Sequence, residues 1–213
     1  MPSASRRSPT VRLPAPRLGR GTSLAEALRH RRTTREIGDR PLPPQLLSNL
    51  LWAACGVNRR AGPFGYPGLT AATASNSQEI DIFVALEDGV YLFDPPRHRM
   101  APVLVGDLRP LAIGRGQRDM VEMLAPVHLI YVADIHRLTH TKGFEEPGLH
   151  DPEVQKSYYY VDTGLIAGNV YLFAASQGLA CWFHNCDRAA LAKELRLGPE
   201  QRVLFAQSVG YPE

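Results

Sequence analysis

The chain has 213 residues, 44% hydrophobic, 21% charged and 8% aromatic, which fits one globular domain with its own core and excludes disordered, collagenous and coiled-coil chains. Lys and Arg number 24 against 21 Asp and Glu, a net charge of +3. Five arginines and no acid stand in the first 25 residues; that leaves 19 basic and 21 acidic side chains, or −2, for the body, which excludes a nucleic-acid-binding surface on charge alone.

Residues 1–21, with Arg6, Arg7, Arg12, Arg17 and Arg20 among prolines, lack the apolar run of a secretory signal and read as a flexible basic tail. Residues 22–213 follow as a single domain. Leu24 to Arg32 is the first expected helix, capped by Thr22 or Ser23. A stiff Pro41–Pro44 stretch leads into a strongly apolar helix from Gln45 to Ala54. Gly56 to Ser75, rich in Gly, Pro, Ala and Thr, reads as a long functional loop. Ile80 to Leu86 is a strand, turned at Glu87-Asp88-Gly89 into Val90-Tyr91-Leu92-Phe93 as a hairpin. Val127 to Ala133 is apolar on both faces and belongs in the middle of a sheet.

The longest helical candidate is Val154 to Gln177. From Thr163 to Cys186 no Asp, Glu, Lys or Arg occurs over 24 residues, enough to cross a bilayer. Asn169, Ser176, Gln177, His184 and Asn185 interrupt that run, however, and Gly178 reads as a helix stop. A buried helix feeding a strand from Leu179 to Phe183 therefore fits better than a membrane span. Asp187 caps a helix from Arg188 to Leu195, and Val203 to Val209 is a last buried strand. Hairpins mixed with helices, without regular strand–helix alternation, give an α+β fold.

Three cysteines, Cys55, Cys181 and Cys186, are an odd number in a chain that needs no staples, which suggests reduced thiols and a cytoplasmic setting. Cys181, His184 and Cys186 invite a metal reading, weighed against a buried strand with small apolar thiols; the strand is favoured. His136 and His140 have helical metal spacing but no third ligand and read as surface histidines. No metal site is expected.

Two segments carry chemistry. Arg31-Arg32-Thr33-Thr34-Arg35 puts three guanidiniums and two hydroxyls within five residues, and the planar guanidinium fork binds phosphate bidentately. Taken alone, the segment reads equally as a solvated basic helix end meeting the helix dipole. Asn76-Ser77-Gln78, directly before a strand, can reach the edge of a planar heterocycle or can simply be a polar loop.

Together these segments resemble the signature of the FMN-dependent nitroreductase-like oxidoreductases. The likeness continues through Asp162-Thr163-Gly164 and Asn169 and closes on Ala206-Gln207-Ser208-Val209-Gly210-Tyr211-Pro212, covering residues 22–213. Asn58-Arg59 and the Val90–Asp94 hairpin resemble the branch that includes azoline dehydrogenases. The resemblance implies a mainly antiparallel central sheet flanked by helices, and a homodimer with two FMN molecules at its interface. It places Arg31 and Thr33 at the phosphate and ribityl chain with Arg32 assisting, and Arg35 at the N1–C2 carbonyl edge. Asn76 falls at the flavin ring or ribityl chain, Gln78 among the cofactor-binding residues, and the backbone of His184 and Asn185 near N5. It also implies a further phosphate-binding cation beyond the final strand, where this sequence ends at Glu213.

The chemistry so implied is hydride transfer through the flavin between a reductant such as NAD(P)H and a small electron-poor or heterocyclic substrate, with no side-chain nucleophile. The absence of P-loop, Gly-x-Ser-x-Gly and Rossmann glycine patterns agrees with this. The alternatives are a flavin-binding module without turnover and a surface or nucleic-acid binder led by the basic tail. The substrate-shaping loops are expected at 63–67 and 144–150.

Overall fold

The computed structural model describes residues 9–17, 19, 21–144 and 148–213. In chain order the elements are β1 (Val11–Arg12), α1 (Leu24–His30), α2 (Pro44–Cys55), β2 (Val57–Arg59), β3 (Gly68–Leu69), β4 (Ile80–Leu86), β5 (Gly89–Asp94) and β6 (Arg99–Val105). There follow α3 (Arg109–Ala112), β7 (Val127–Asp134), α4 (Ile135–Thr139), α5 (Pro152–Ser176), β8 (Ala180–His184), α6 (Arg188–Glu194) and β9 (Gln201–Gly210).

Among the described residues seven strands form one sheet in the order β1-β6-β5-β4-β7-β9-β8, and every pairing in it is antiparallel. β7 sits between β4 and β9, buried from Val127 to Ala133, as its two apolar faces require. Its alternate residues feed two cores. Leu129 and Tyr131 pack with Leu50 and Leu51 of α2 and Ile166 and Val170 of α5; Ile130 and Val132 pack with Ala112 of α3 and Leu191 of α6. The α+β architecture with helices on both faces of a large antiparallel sheet is the one the sequence predicted. β6 is an addition: its Arg99, Pro102 and exposed Val103 hide the alternation that a strand needs to be recognised.

α5 begins where Asp151 caps its start, accepting from the Glu153 N–H, with Pro152 in the first turn where its missing N–H is harmless, and runs 25 residues to Ser176. Its buried face is Asp162, Thr163, Ile166, Ala167, Val170, Phe173 and Ala174, at helical spacing. Among the described residues no helix is long and apolar enough to cross a membrane.

The expected boundary at residue 21 is corrected by the structure. Val11 and Arg12 pair with Met100 and Arg99 at the sheet edge. The Pro14 carbonyl accepts from Ser48 Oγ at 2.5 Å and that of Ala15 from Gln45 Nε2 at 2.9 Å. Arg17 exchanges two 2.8 Å bonds with the Asn49 amide. The physical reason is that β6 and α2 present unpaired polar groups that this segment's backbone satisfies. Arg6, Arg7 and Arg20 lie outside the described residues.

Candidate functional site

α1 opens with a capping box: Ser23 Oγ accepts from the Glu26 N–H at 3.3 Å and Glu26 Oε2 accepts from the Ser23 N–H at 3.1 Å. The helix ends two residues before its expected stop, with the Arg31 N–H closing on Ala27. The chain then extends along the free edge of β8. The Thr34 N–H donates to the Cys181 carbonyl at 3.0 Å, and Ile37 bridges to Pro212. The arginine segment is therefore held as a strip against the sheet edge, not as a helix end.

That strip walls a cavity of about 390 Å³ together with α5 and the start of β8. Arg29, His30, Arg31, Arg32 and Thr34 line one side; Tyr171, Gly178 and Cys181 line the other. The Arg31 guanidinium lies 5.4 Å from the Tyr171 ring centre and that of Arg35 lies 5.6 Å from Trp182, so aromatic faces orient both cations. The Tyr171 hydroxyl accepts from the Phe183 N–H at 2.9 Å and meets Thr33 Oγ1 at 3.1 Å. Arg31, Arg32 and Arg35 are exposed and, among the described residues, make no ion pair. Uncompensated guanidiniums at the mouth of a cavity favour an anion there.

Asn76 and Gln78 stand elsewhere. The turn Ala74–Asn76 sits over α5 near Asp162, whose Oδ2 accepts the Ala74 N–H at 2.8 Å. Ser75, Asn76 and Gln78 all have left-handed backbones, with φ of 49°, 54° and 53°. Each such non-glycine residue costs on the order of 1 kcal/mol, so the surroundings must hold them. Asn76 Nδ2 donates to the Pro63 carbonyl at 3.1 Å, and Gln78 Nε2 donates to Pro67 at 2.7 Å and to Asn76 Oδ1 at 3.1 Å. Both amides thus strap the 63–67 loop onto the turn, and neither touches Arg31–Arg35. On α5 the two regions are marked by Asp162 and Tyr171, nine residues or about 13–14 Å apart along the helix axis.

His184 ends β8 with its ring buried. Its Nδ1 donates to the Asn185 carbonyl at 2.9 Å, which also accepts the Gly114 N–H, while Asn185 itself is exposed. His184 Nε2 therefore accepts from Ser208 Oγ at 2.7 Å, and Ser208 in turn accepts from His128 Nδ1 at 2.9 Å. Burial pushes His184 down to about 4 and His128, with its histidine neighbour, down to about 3; both rings are neutral. Cys55, Cys181 and Cys186 are free and buried, and burial raises their thiols to about 12, 12 and 11.

Sequence reasoning did not single out Tyr171, Trp182 or Glu79, and it named Asp162 only within the family likeness, not for its place at the Ala74 turn. Asp162 carried the one signal, a carboxylate at the edge of an uncharged apolar run. The 63–67 loop lies beside the Asn76 turn as described. Of the 144–150 loop, Phe144 rests on Tyr158 with ring centres 5.5 Å apart, and 145–147 lie outside the described residues.

The comparisons with known proteins agree with this architecture. The model of the Nitroreductase family matches residues 28–211. A provisionally named nitroreductase of Methanocaldococcus jannaschii is 31% identical over 160 residues, covering 73% of this chain and 75% of that protein. The crystal structure of a provisionally named nitroreductase from Ralstonia eutropha superposes with a TM-score of 0.84 at 32% identity, covering 99% of this chain and 92% of that one. The NADPH:FMN oxidoreductase of Vibrio harveyi, solved with NAD+, shares the fold at a TM-score of 0.60 and 19% identity, over 89% of this chain and 69% of that one. With a continuous family match from α1 to the end of the last strand, this chain belongs to the nitroreductase family of oxidoreductases.

Proposed function

We propose that the chain is an FMN-dependent oxidoreductase that works as a homodimer, moving a hydride between a donor such as NAD(P)H and a small electron-poor or heterocyclic acceptor. The observation that carries this reading is the cationic cavity beside β8, where Arg31 and Arg32 have no acidic partner among the described residues and Tyr171 backs the Arg31 guanidinium, with Arg35 held over Trp182 beside it. That donor set fits a phosphate dianion and the electron-rich edge of an isoalloxazine ring.

Arg31, Arg32 and Thr33 would hold the phosphate and ribityl chain, and Arg35 would stabilise negative charge at the N1–C2 edge. FMN, when bound, supplies the hydride chemistry at N5. The backbone at Asn185, exposed at the end of β8, would lie near that atom; the His184 ring, turned into the core, leaves the orientation of this backbone fixed. A homodimer needs a second copy packed against this chain. Leu24 and Leu28 on α1 and Val154, Val161 and Leu165 on α5 are exposed apolar side chains that such a partner would cover. The three buried thiols fit a reducing compartment, the cytoplasm.

The test is an absorbance spectrum of the purified protein, followed by anaerobic NADH and NADPH titration. Yellow protein that bleaches supports the reading. Colourless protein that takes up no added FMN overturns it, and bound FMN that neither nicotinamide reduces assigns a flavin-carrying module instead. Arg35→Ala should weaken FMN retention and slow reduction at least tenfold; unchanged occupancy and rate would remove Arg35 from the site.

A further inference from the structure

Beneath the Asn76 turn lies a buried acid pair that the flavin chemistry does not use. Glu79, the residue before β4, is fully enclosed. Its Oε2 accepts from Ser77 Oγ at 2.7 Å, and its Oε1 meets no N–H or hydroxyl donor among the described residues. Asp162 approaches from the buried face of α5 while accepting the Ala74 N–H at 2.8 Å.

The two carboxyl groups meet in a side-chain hydrogen bond, and two enclosed carboxylates in contact cannot both be ionised without a counter-cation. Among the described residues no cation acts on Glu79. Arg137 of α4 is committed to Asp81 at 2.7 Å and to Asp134 at 3.7 Å. Cys55 of α2 is neutral, its thiol pushed up to about 12 mainly by burial. Asp81 on β4 and Asp134 at the end of β7 add only negative charge. Burial first, opposed by the Ser77 hydroxyl and reinforced by the Asp162 charge, pushes Glu79 up to about 7. Burial also raises Asp162, against the Ala74 N–H and Glu79, which both favour its ionised form. Their mutual contact raises Glu79 and lowers Asp162, so the shared proton belongs to Glu79.

We propose that Glu79 and Asp162 are a positioning pair that shares one proton and thereby holds the Ala74–Gln78 turn in the left-handed shape that carries Asn76 and Gln78. Asp162 fixes the turn's first N–H, and Ser77, the one residue of the Ser75–Gln78 stretch without a positive φ, is fixed by Glu79. Loss of the proton sets two like charges against each other below the turn, which then loosens together with the 63–67 loop strapped to it. The consequence for the cofactor rests on the proposed flavin reading: FMN should be held less tightly as pH rises through neutrality.

The flavin-free protein tests the pair directly. Between pH 6 and pH 8.5 the infrared band of a protonated carboxyl should disappear in the wild type, with a midpoint near 7. Amide exchange over 70–80 should accelerate several-fold more than in Glu79→Gln, which keeps the shape and cannot ionise. Asp162→Asn, which can still accept the Ala74 N–H, should move the transition to lower pH. No protonated carboxyl in the wild type at pH 6, or equal exchange profiles in wild type and Glu79→Gln, overturns the proposal. If Glu79→Gln does not fold, the wild-type band and the Asp162→Asn shift decide. FMN dissociation should rise several-fold over the same range in the wild type alone. Protein that shows the band and the exchange change but binds no FMN at any pH overturns the flavin reading and leaves the pair standing.

Discussion

At the scale of single residues, the chain spends its polar side chains on position more than on display. Ser208 is shared between two neutral histidines, and Tyr131 donates to Gln207 at 2.5 Å while the Gln207 amide reaches Ala167 and Cys181. These bonds cross β7, β9, β8 and α5 and fix the strand whose end is the Asn185 backbone. The histidines make this region sensitive to acid. Their native values lie below the ordinary 6.5, so the neutral rings contribute stability that is complete above that pH. It is lost as pH falls toward about 4 for His184 and about 3 for His128. Thermal melts from pH 7 to pH 3 should show the midpoint falling across that window. The fall should be smaller in His128→Gln, where one buried titration is gone, and equal falls would remove His128 from this account.

Among the elements, α5 has the most tasks. Its buried face holds the sheet, Asp162 holds the Ala74 turn, and Tyr171 aligns Arg31, Thr33 and Phe183. Its remaining face carries Val154, Val161 and Leu165 uncovered. Spacings of seven and four residues put these on one stripe, which a single chain leaves in water. Val161→Asp with Leu165→Asp should turn a dimer into a folded monomer, because both sites face solvent within the chain, and should strip bound flavin. Light scattering reads the mass and absorbance reads the flavin. A dimeric mass for the double variant, or a monomeric wild type, would remove this stripe from the interface.

For the whole molecule, the basic N-terminal segment is part of the fold from at least residue 11. It lengthens the sheet by one short edge strand and satisfies groups on α2 and β6. Each such hydrogen bond contributes about 1 kcal/mol net, so removing residues 1–17 should cost about 3–5 kcal/mol in urea unfolding. An inert tail would cost nothing measurable. Most of the architecture was legible in the sequence, because the central strand, the hairpin, the long helix and the Asp187-capped last helix carry apolar periodicity and local capping chemistry, which are short-range properties. The arginines and the Asn76 turn were legible as residues but not as a site. Their placement depends on an edge of β8 that pairs with Thr34 and on prolyl carbonyls that occupy the Asn76 and Gln78 amides. The sequence by itself determined most of the elements, the family and the cationic segment. Only the tertiary structure decided that the segment is a strip backed by Tyr171 and Trp182, that the two motifs stand apart in one chain, and that Glu79 meets Asp162. The reason is physical: periodicity and caps act within a few residues, whereas burial, shared protons and ring contacts arise between residues that only the completed fold brings together.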